Sequence, residues 1–201
     1  MITTYTSPLG PIVIESDGKA ITSLRFCCEK ASAVPKEAPK EAVPTPPIIA
    51  ETIQWLDDYF AGKRPCNVPR LNPQGTTFQK RVWQALFTIW FGQTKTYGEI
   101  AKIVDCRSAQ AVGHAVGRNP IALIIPCHRV IAANGQLGGY AYGTEIKKRL
   151  LELEQHNNDS IPRDPKRWHL GDRDAWHRRI EKMTFFERNE WKIYKWHNIC
   201  C

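Results

Sequence analysis

The chain has 201 residues, 42% hydrophobic and 10% aromatic, with a formal net charge of +8; this is enough for one core or two small lobes and favours a polyanionic partner without naming one. No apolar run reaches the roughly 18 to 20 residues of a membrane span, and Met1-Ile2-Thr3-Thr4-Tyr5 lacks the basic and apolar regions of an export signal, so an intracellular protein without membrane contact is expected. Seven cysteines, including the adjacent pairs Cys27-Cys28 and Cys200-Cys201, argue for reduced thiols over a secreted disulfide framework, and the absence of CxxC and HxxxH spacings predicts no metal site.

Residues 2 to 26 read as extended: Ile12-Val13-Ile14 and Ile21-Thr22-Ser23-Leu24-Arg25-Phe26 flank Asp17-Gly18, a hairpin signal. Glu29 to Pro47 carries five prolines among Lys, Glu and Ala and is predicted as a loop. From Ile48 to Phe60 apolar residues recur at helical spacing before Gly62 and Pro65, which predicts a helix over the sheet. Pro65 to Gly75 reads as a linker, dividing an N-terminal α+β lobe over residues 1–70 from a second domain over residues 71–154.

The second domain opens with a predicted helix from Thr77 to Trp90, with Phe78, Val82, Ala85, Leu86 and Ile89 on one face and Gly92 as its stop. Two short helical patterns, Tyr97 to Val104 and Ser108 to Val116, are separated by Asp105-Cys106-Arg107, the spacing of a helix-turn-helix. Small residues at Ala109, Ala111, Gly113, Ala115 and Gly117 leave the second helix smooth enough for another backbone to approach. Leu123-Ile124-Ile125-Pro126 and Arg129-Val130-Ile131 enclose Cys127-His128 and read as buried extended chain. Gly135, Gly138, Gly139 and Gly143 predict a loop, and Glu145 to Glu154 resumes as a helix.

A cysteine becomes a nucleophile when an imidazole takes its proton and a carboxylate fixes the imidazole tautomer; Cys127, His128 and an acid such as Glu154 supply the three types. A Cys-His dipeptide alone is weak, because strand neighbours face opposite ways and buried cysteines are mostly packing. The surrounding run Ile125-Pro126-Cys127-His128-Arg129-Val130-Ile131, preceded by Gly117-Arg118-Asn119-Pro120, closely resembles the active-site signature of the O6-alkylguanine-DNA alkyltransferases, also called methylated-DNA-protein-cysteine methyltransferases. Tyr59-Phe60-Ala61-Gly62, Gly75-Thr76-Thr77-Phe78-Gln79, Thr96-Tyr97-Gly98-Glu99-Ile100-Ala101 and Gly138-Gly139-Tyr140 extend the resemblance from about Ile2 to Glu154.

The resemblance implies an α+β protein: a ribonuclease H-like N-terminal lobe with a small sheet and helix, and a mainly helical, winged-helix-like domain carrying the cysteine. It implies DNA repair by one irreversible transfer of an alkyl group from O6-alkylguanine, and from O4-alkylthymine, to Cys127, without a cofactor. His128 then acts through a water as base, Glu154 orients it, Asn119 braces the segment leading to the site, and Tyr97 donates a proton as guanine leaves. Tyr140 and Ala141 wall the pocket, the carbonyls of Cys127 and Val130 accept from the guanine amino group, and Lys147 supports the pocket or is a solvated helix charge. The partner implied is double-stranded DNA bound through the minor groove by a monomer with little sequence preference, in the cytoplasm of a bacterium or the nucleus of a eukaryote.

Two departures stand out. Where the family carries an arginine on the recognition helix this chain has Gln110, which fills space but lacks a planar cation; Arg107, Ser108, Ala111 and Arg118 complete the expected DNA-binding set. Some relatives bind zinc in the N-terminal lobe, but residues 1–113 contain no histidine. Beyond Glu154 the resemblance stops, and residues 155–201 form a basic extension with four tryptophans and no assigned role. A non-catalytic lesion-binding protein is the main rival reading, kept open by Gln110 and opposed by Cys127; a regulator switched by self-alkylation is a third.

Overall fold

The computed structural model describes residues 1–27, 46–65 and 67–158. Three strands, β1 (Ile2–Ser7), β2 (Gly10–Ser16) and β3 (Ile21–Phe26), pair antiparallel in that order. Ile12, Ile14 and Ser16 alternate onto the buried face of β2, and Ile14 sits opposite Leu24. Gly18, at φ +92°, supplies the left-handed backbone of the β2–β3 turn that Asp17-Gly18 announces. The predicted loop from Glu29 lies outside the described residues up to position 45, as does the tryptophan-rich extension beyond residue 158.

Helix α1 (Pro47–Phe60) starts with a proline, whose fixed φ suits a first turn. Fourteen residues are marginal as an isolated helix, so tertiary packing must hold it. Ile48, Ile49, Thr52, Trp55, Leu56 and Tyr59 provide a buried face, with about 1.5–3 kcal/mol from each large apolar side chain.

Helix α2 (Thr77–Leu86) opens with a reciprocal Thr76–Gln79 capping box. It ends before the predicted Trp90, because Phe87, Thr88 and Ile89 tighten onto the carbonyls of Gln84, Ala85 and Leu86. That turn buries Ile89 and frees its carbonyl for a tertiary bond from Arg129. Helix α3 (Tyr97–Ile103) is capped by Thr96 and Glu99, and α4 (Ala109–Gly117) by Ser108; Asp105, at φ +47°, turns the chain between them. Trp83 Nε1 donates to the Ala115 carbonyl at 2.8 Å, which clamps α2 to α4. The small-residue face is therefore narrower than the sequence suggests, since Ala115 is buried against α2.

The stretch around Cys127 departs from the expected extended chain. Cys127–Arg129 form a 3-10 turn, and only β5 (Val130–Ile131) is strand, paired in parallel with β4 (Lys95–Thr96). Leu123, at φ +66°, reverses the chain, and Asn119 substitutes for ladder bonds: Nδ2 donates to the carbonyls of Ile121 (3.2 Å) and Ile125 (2.8 Å), while Oδ1 accepts from Ile121 N (3.0 Å). Helix α5 (Thr144–Asn158) runs past the predicted end at Glu154.

The sheet reaches directly into this region. Leu24 N donates to the Pro120 carbonyl at 2.9 Å and Ala122 N to the Leu24 carbonyl at 2.8 Å, so β3 holds the segment between α4 and the cysteine. One contiguous core joins Ile14, Leu56 and Trp83 to Val112, Ile125 and Leu150. Among the described residues no helix is long and apolar enough to cross a membrane.

Candidate active site

Cys127 begins the 3-10 turn with 6% of its surface exposed, at the edge of a cavity of about 690 Å³. Tyr97, Gln110, Asn119, Tyr140 and Ala141 line the same cavity, and α4 forms one of its walls. Asn119 Nδ2 donates to the Cys127 sulfur at 3.1 Å. Burial pushes the thiol up, and the Asn119 donor opposes it by favouring the thiolate.

Behind the cysteine, His128 is fully buried with Nε2 at 2.7 Å from Glu154 Oε1. Burial pulls the imidazole below its usual value, while the Glu154 charge pulls the other way. Burial alone would raise the Glu154 carboxyl, but His128 and Arg129 outweigh it and hold the group well below the usual carboxylate range. An ionised carboxylate only accepts, so Nε2 carries the imidazole proton and the Nδ1 lone pair is left to act as a base. Nδ1 is buried and has no hydrogen-bond partner in the protein among the described residues.

The 3-10 turn brings this about: it puts Cys127 on the cavity and His128 into the interior, a division that the extended reading also gave but without the inward reach to α5. Arg129 follows them and donates to both Glu154 oxygens, from Nε at 2.8 Å and Nη2 at 2.9 Å, with Nη1 on the Ile89 carbonyl at 2.8 Å. Tyr59 on α1 donates to Glu154 Oε1 at 2.7 Å, and Gly92 N to Oε2 at 3.0 Å. Sequence reading assigned none of these three to the site. Tyr59 and Arg129 sit inside the quoted motifs, which was the available signal.

Tyr97 is half-buried at the start of α3, its ring beside Gly113 and its hydroxyl beside Gly138. Burial and the Cys127 charge raise its phenol, keeping the proton on oxygen. The Tyr140 hydroxyl is buried beside the Cys127 thiol without a well-formed hydrogen bond; burial first, then the thiolate charge, raise it well above an ordinary tyrosine. Ala141 is exposed at the cavity wall.

Lys147 is not a solvated helix charge. It is fully buried, with Nζ donating to the carbonyls of Val130 (2.6 Å), Leu137 and Gly139 (3.3 Å), and burial brings its ammonium down to about 8. It thereby ties α5 to β5 and to the loop just before Tyr140. The Val130 carbonyl, expected to meet guanine, already accepts from Lys147 and keeps a second lone pair.

On the outer face, Ser108, Gln110, Ala111 and Arg118 line a neighbouring groove of about 480 Å³. Gln110 and His114 border both hollows and form the ridge between them. Arg107 is exposed next to the groove lining. No cluster of three or more metal-ligating side chains occurs among the described residues.

Sequence comparison places this geometry among known proteins. The profile for the 6-O-methylguanine DNA methyltransferase DNA binding domain matches residues 77–156, and that for the ribonuclease-like domain of the same methyltransferase matches residues 1–67. The methylated-DNA–protein-cysteine methyltransferase of Methanosarcina mazei is 47% identical over 152 residues, covering 75% of this chain and 94% of its own. That of Mycobacterium leprae is 45% identical over 153 residues, covering 75% and 89%. Among solved structures, Mycobacterium tuberculosis OGT in complex with DNA superposes with a TM-score of 0.65 at 41% identity, covering 77% of this chain and 92% of that one. The O6-methylguanine DNA methyltransferase of Methanococcus jannaschii gives 0.58 at 33%, covering 77% and 93%. The chain belongs to the 6-O-methylguanine DNA methyltransferase family.

Proposed function

We propose that this protein repairs DNA by transferring the alkyl group of O6-alkylguanine irreversibly to Cys127, once per molecule, with O4-alkylthymine as a second lesion. The observation that carries this reading is a buried cysteine facing a cavity while the adjacent histidine faces a buried carboxylate. His128 Nδ1 takes the Cys127 proton through a water, and the thiolate attacks the alkyl carbon in line with the bond to O6. The S–C bond forms, the C–O6 bond breaks, and its electron pair goes to the base, which takes a proton from Tyr97. The resulting thioether has no hydrolytic exit, so the reaction is stoichiometric and needs no cofactor.

A guanine inside a duplex cannot reach Cys127, so the nucleotide is flipped into the cavity. Tyr140 and Ala141 wall it, Lys147 fixes the loop that carries them, and Asn119 joins the cysteine to α4. Helix α4 enters the minor groove, with Gln110 at the ridge where the base leaves the stack and Ser108, Ala111, Arg107 and Arg118 towards the backbone. Few of these groups can read bases, which suits a monomer that scans intracellular DNA, in cytoplasm or nucleus, with little sequence preference. The rival of a non-catalytic lesion binder leaves the Cys127–His128–Glu154 arrangement without a purpose. Digestion to nucleosides after incubation with a duplex bearing one O6-methylguanine tests the proposal: one guanine restored per protein molecule is expected, and none with Cys127→Ala. A lesion left intact by the native protein would reject it.

A further inference from the structure

The Glu154 carboxylate receives donors from two sides of the molecule. Arg129 and Gly92 hold it from within the second domain, through both oxygens. Tyr59 arrives from α1, 95 positions away, and bonds Oε1, the oxygen that also receives His128 Nε2. Its hydroxyl lies 3.4 Å from that nitrogen. The ring is fully buried, stacked on Trp55 at 5.3 Å between centroids and met edge-on by Phe60 and Phe91. Burial, and then the carboxylate charge, keep the phenol protonated, so it stays a donor at every working pH.

A hydrogen bond donated to Oε1 draws negative charge away from the His128 contact and lowers the pull on an imidazolium proton. We propose that Tyr59 is a positioning residue through which the N-terminal lobe, acting on Glu154, sets the proton affinity of His128 and so the pH at which Cys127 becomes a thiolate. The inference rests on the reading of Cys127 and His128 as nucleophile and base. The charged or titratable groups acting on His128 are Glu154 and Lys147 from α5, Arg129 from its own turn, Tyr59 from α1, and neighbouring Cys127. Glu154 favours the protonated ring, while Arg129 and Lys147 oppose it. Tyr59 is neutral and acts by sharing the one anion.

Tyr59→Phe removes one oxygen and leaves Glu154 its contacts to Arg129, Gly92 and His128, so the fold should persist. Trp55→Phe serves as a packing control, because it disturbs the Tyr59 stack without touching the carboxylate. The experiment follows iodoacetamide labelling of Cys127 against pH by peptide mass spectrometry, which requires no DNA. Tyr59→Phe is expected to move the acid limb to lower pH by about 0.5 to 1 unit, while Trp55→Phe overlays the native curve. A Tyr59→Phe curve that overlays the native one, or equal displacement in both variants, would overturn the inference. Methyl transfer by the native protein from an O6-methylguanine duplex is measured beside it. Transfer with an unmoved Tyr59→Phe limb defeats the role of Tyr59 alone; absence of transfer defeats the acceptor reading, and the labelling curve still decides on Tyr59.

Discussion

Asn119, just past the end of α4, donates from Nδ2 to the Cys127 sulfur at 3.1 Å, so α4 and the buried cysteine are joined by one side chain. The same amide group also holds the Ile121 and Ile125 carbonyls, which fixes the turn that presents the sulfur. Asn119→Asp replaces this donor with an anion at nearly constant size. The thiolate then loses a hydrogen bond and gains a like charge, and both raise the thiol pKa. The labelling curve of Cys127 should move to higher pH by on the order of one unit or more, measured by peptide mass spectrometry.

Glu154→Gln removes the only carboxylate in contact with both His128 and Arg129 among the described residues. Arg129 is left buried without its anion, which costs about 3–5 kcal/mol of stability, readable from denaturant unfolding. His128 loses its tautomer control, and the transfer rate should drop by about 10⁴-fold, as when an orienting carboxylate is neutralised in other triads.

Stability should fall in acid through the same residue. The folded Glu154 pKa lies below its unfolded value of about 4.3, so its contribution is fully present above that pH and is lost as pH falls towards the folded value. His128 adds to this: its folded pKa is lowered, so below about 6.5 the unfolded chain binds a proton that the folded state resists. Unfolding midpoints measured from pH 7 to 3 should decline, with a flatter acid limb in Glu154→Gln.

Lys147→Met keeps the stem but deletes the ammonium that ties the Val130, Leu137 and Gly139 carbonyls. The loop bearing Tyr140 and Ala141 loses its anchor to α5. Transfer should slow by about 10- to 100-fold, the scale of displacing a positioned pocket by an ångström or so. Amide exchange over residues 132–143 should quicken, reporting the released loop.

The Asp17-Gly18 hairpin, the α1 face and the Ser108 cap were legible in local sequence, because their causes lie within a few residues. The motif around Cys127 made the family legible in the same way. Lys147 was ambiguous, since a helix charge reveals its burial only when the carbonyls it serves are in place. Tyr59, Arg129 and Gly92 meet Glu154 across 95, 25 and 62 positions, separations at which local periodicity carries no signal. The turn at Cys127 escaped because an apolar run at Leu123 to Ile125 fits buried strand equally well, and Leu123 takes a left-handed backbone that its type disfavours.

The central claim is covalent capture by Cys127. Intact-mass spectrometry after incubation with a duplex carrying a single O6-methylguanine should show one added methyl group, mapped by peptide analysis to Cys127 and absent from Cys127→Ala. Tight binding of that duplex with no change in mass would contradict the account and favour a protein that only marks the lesion.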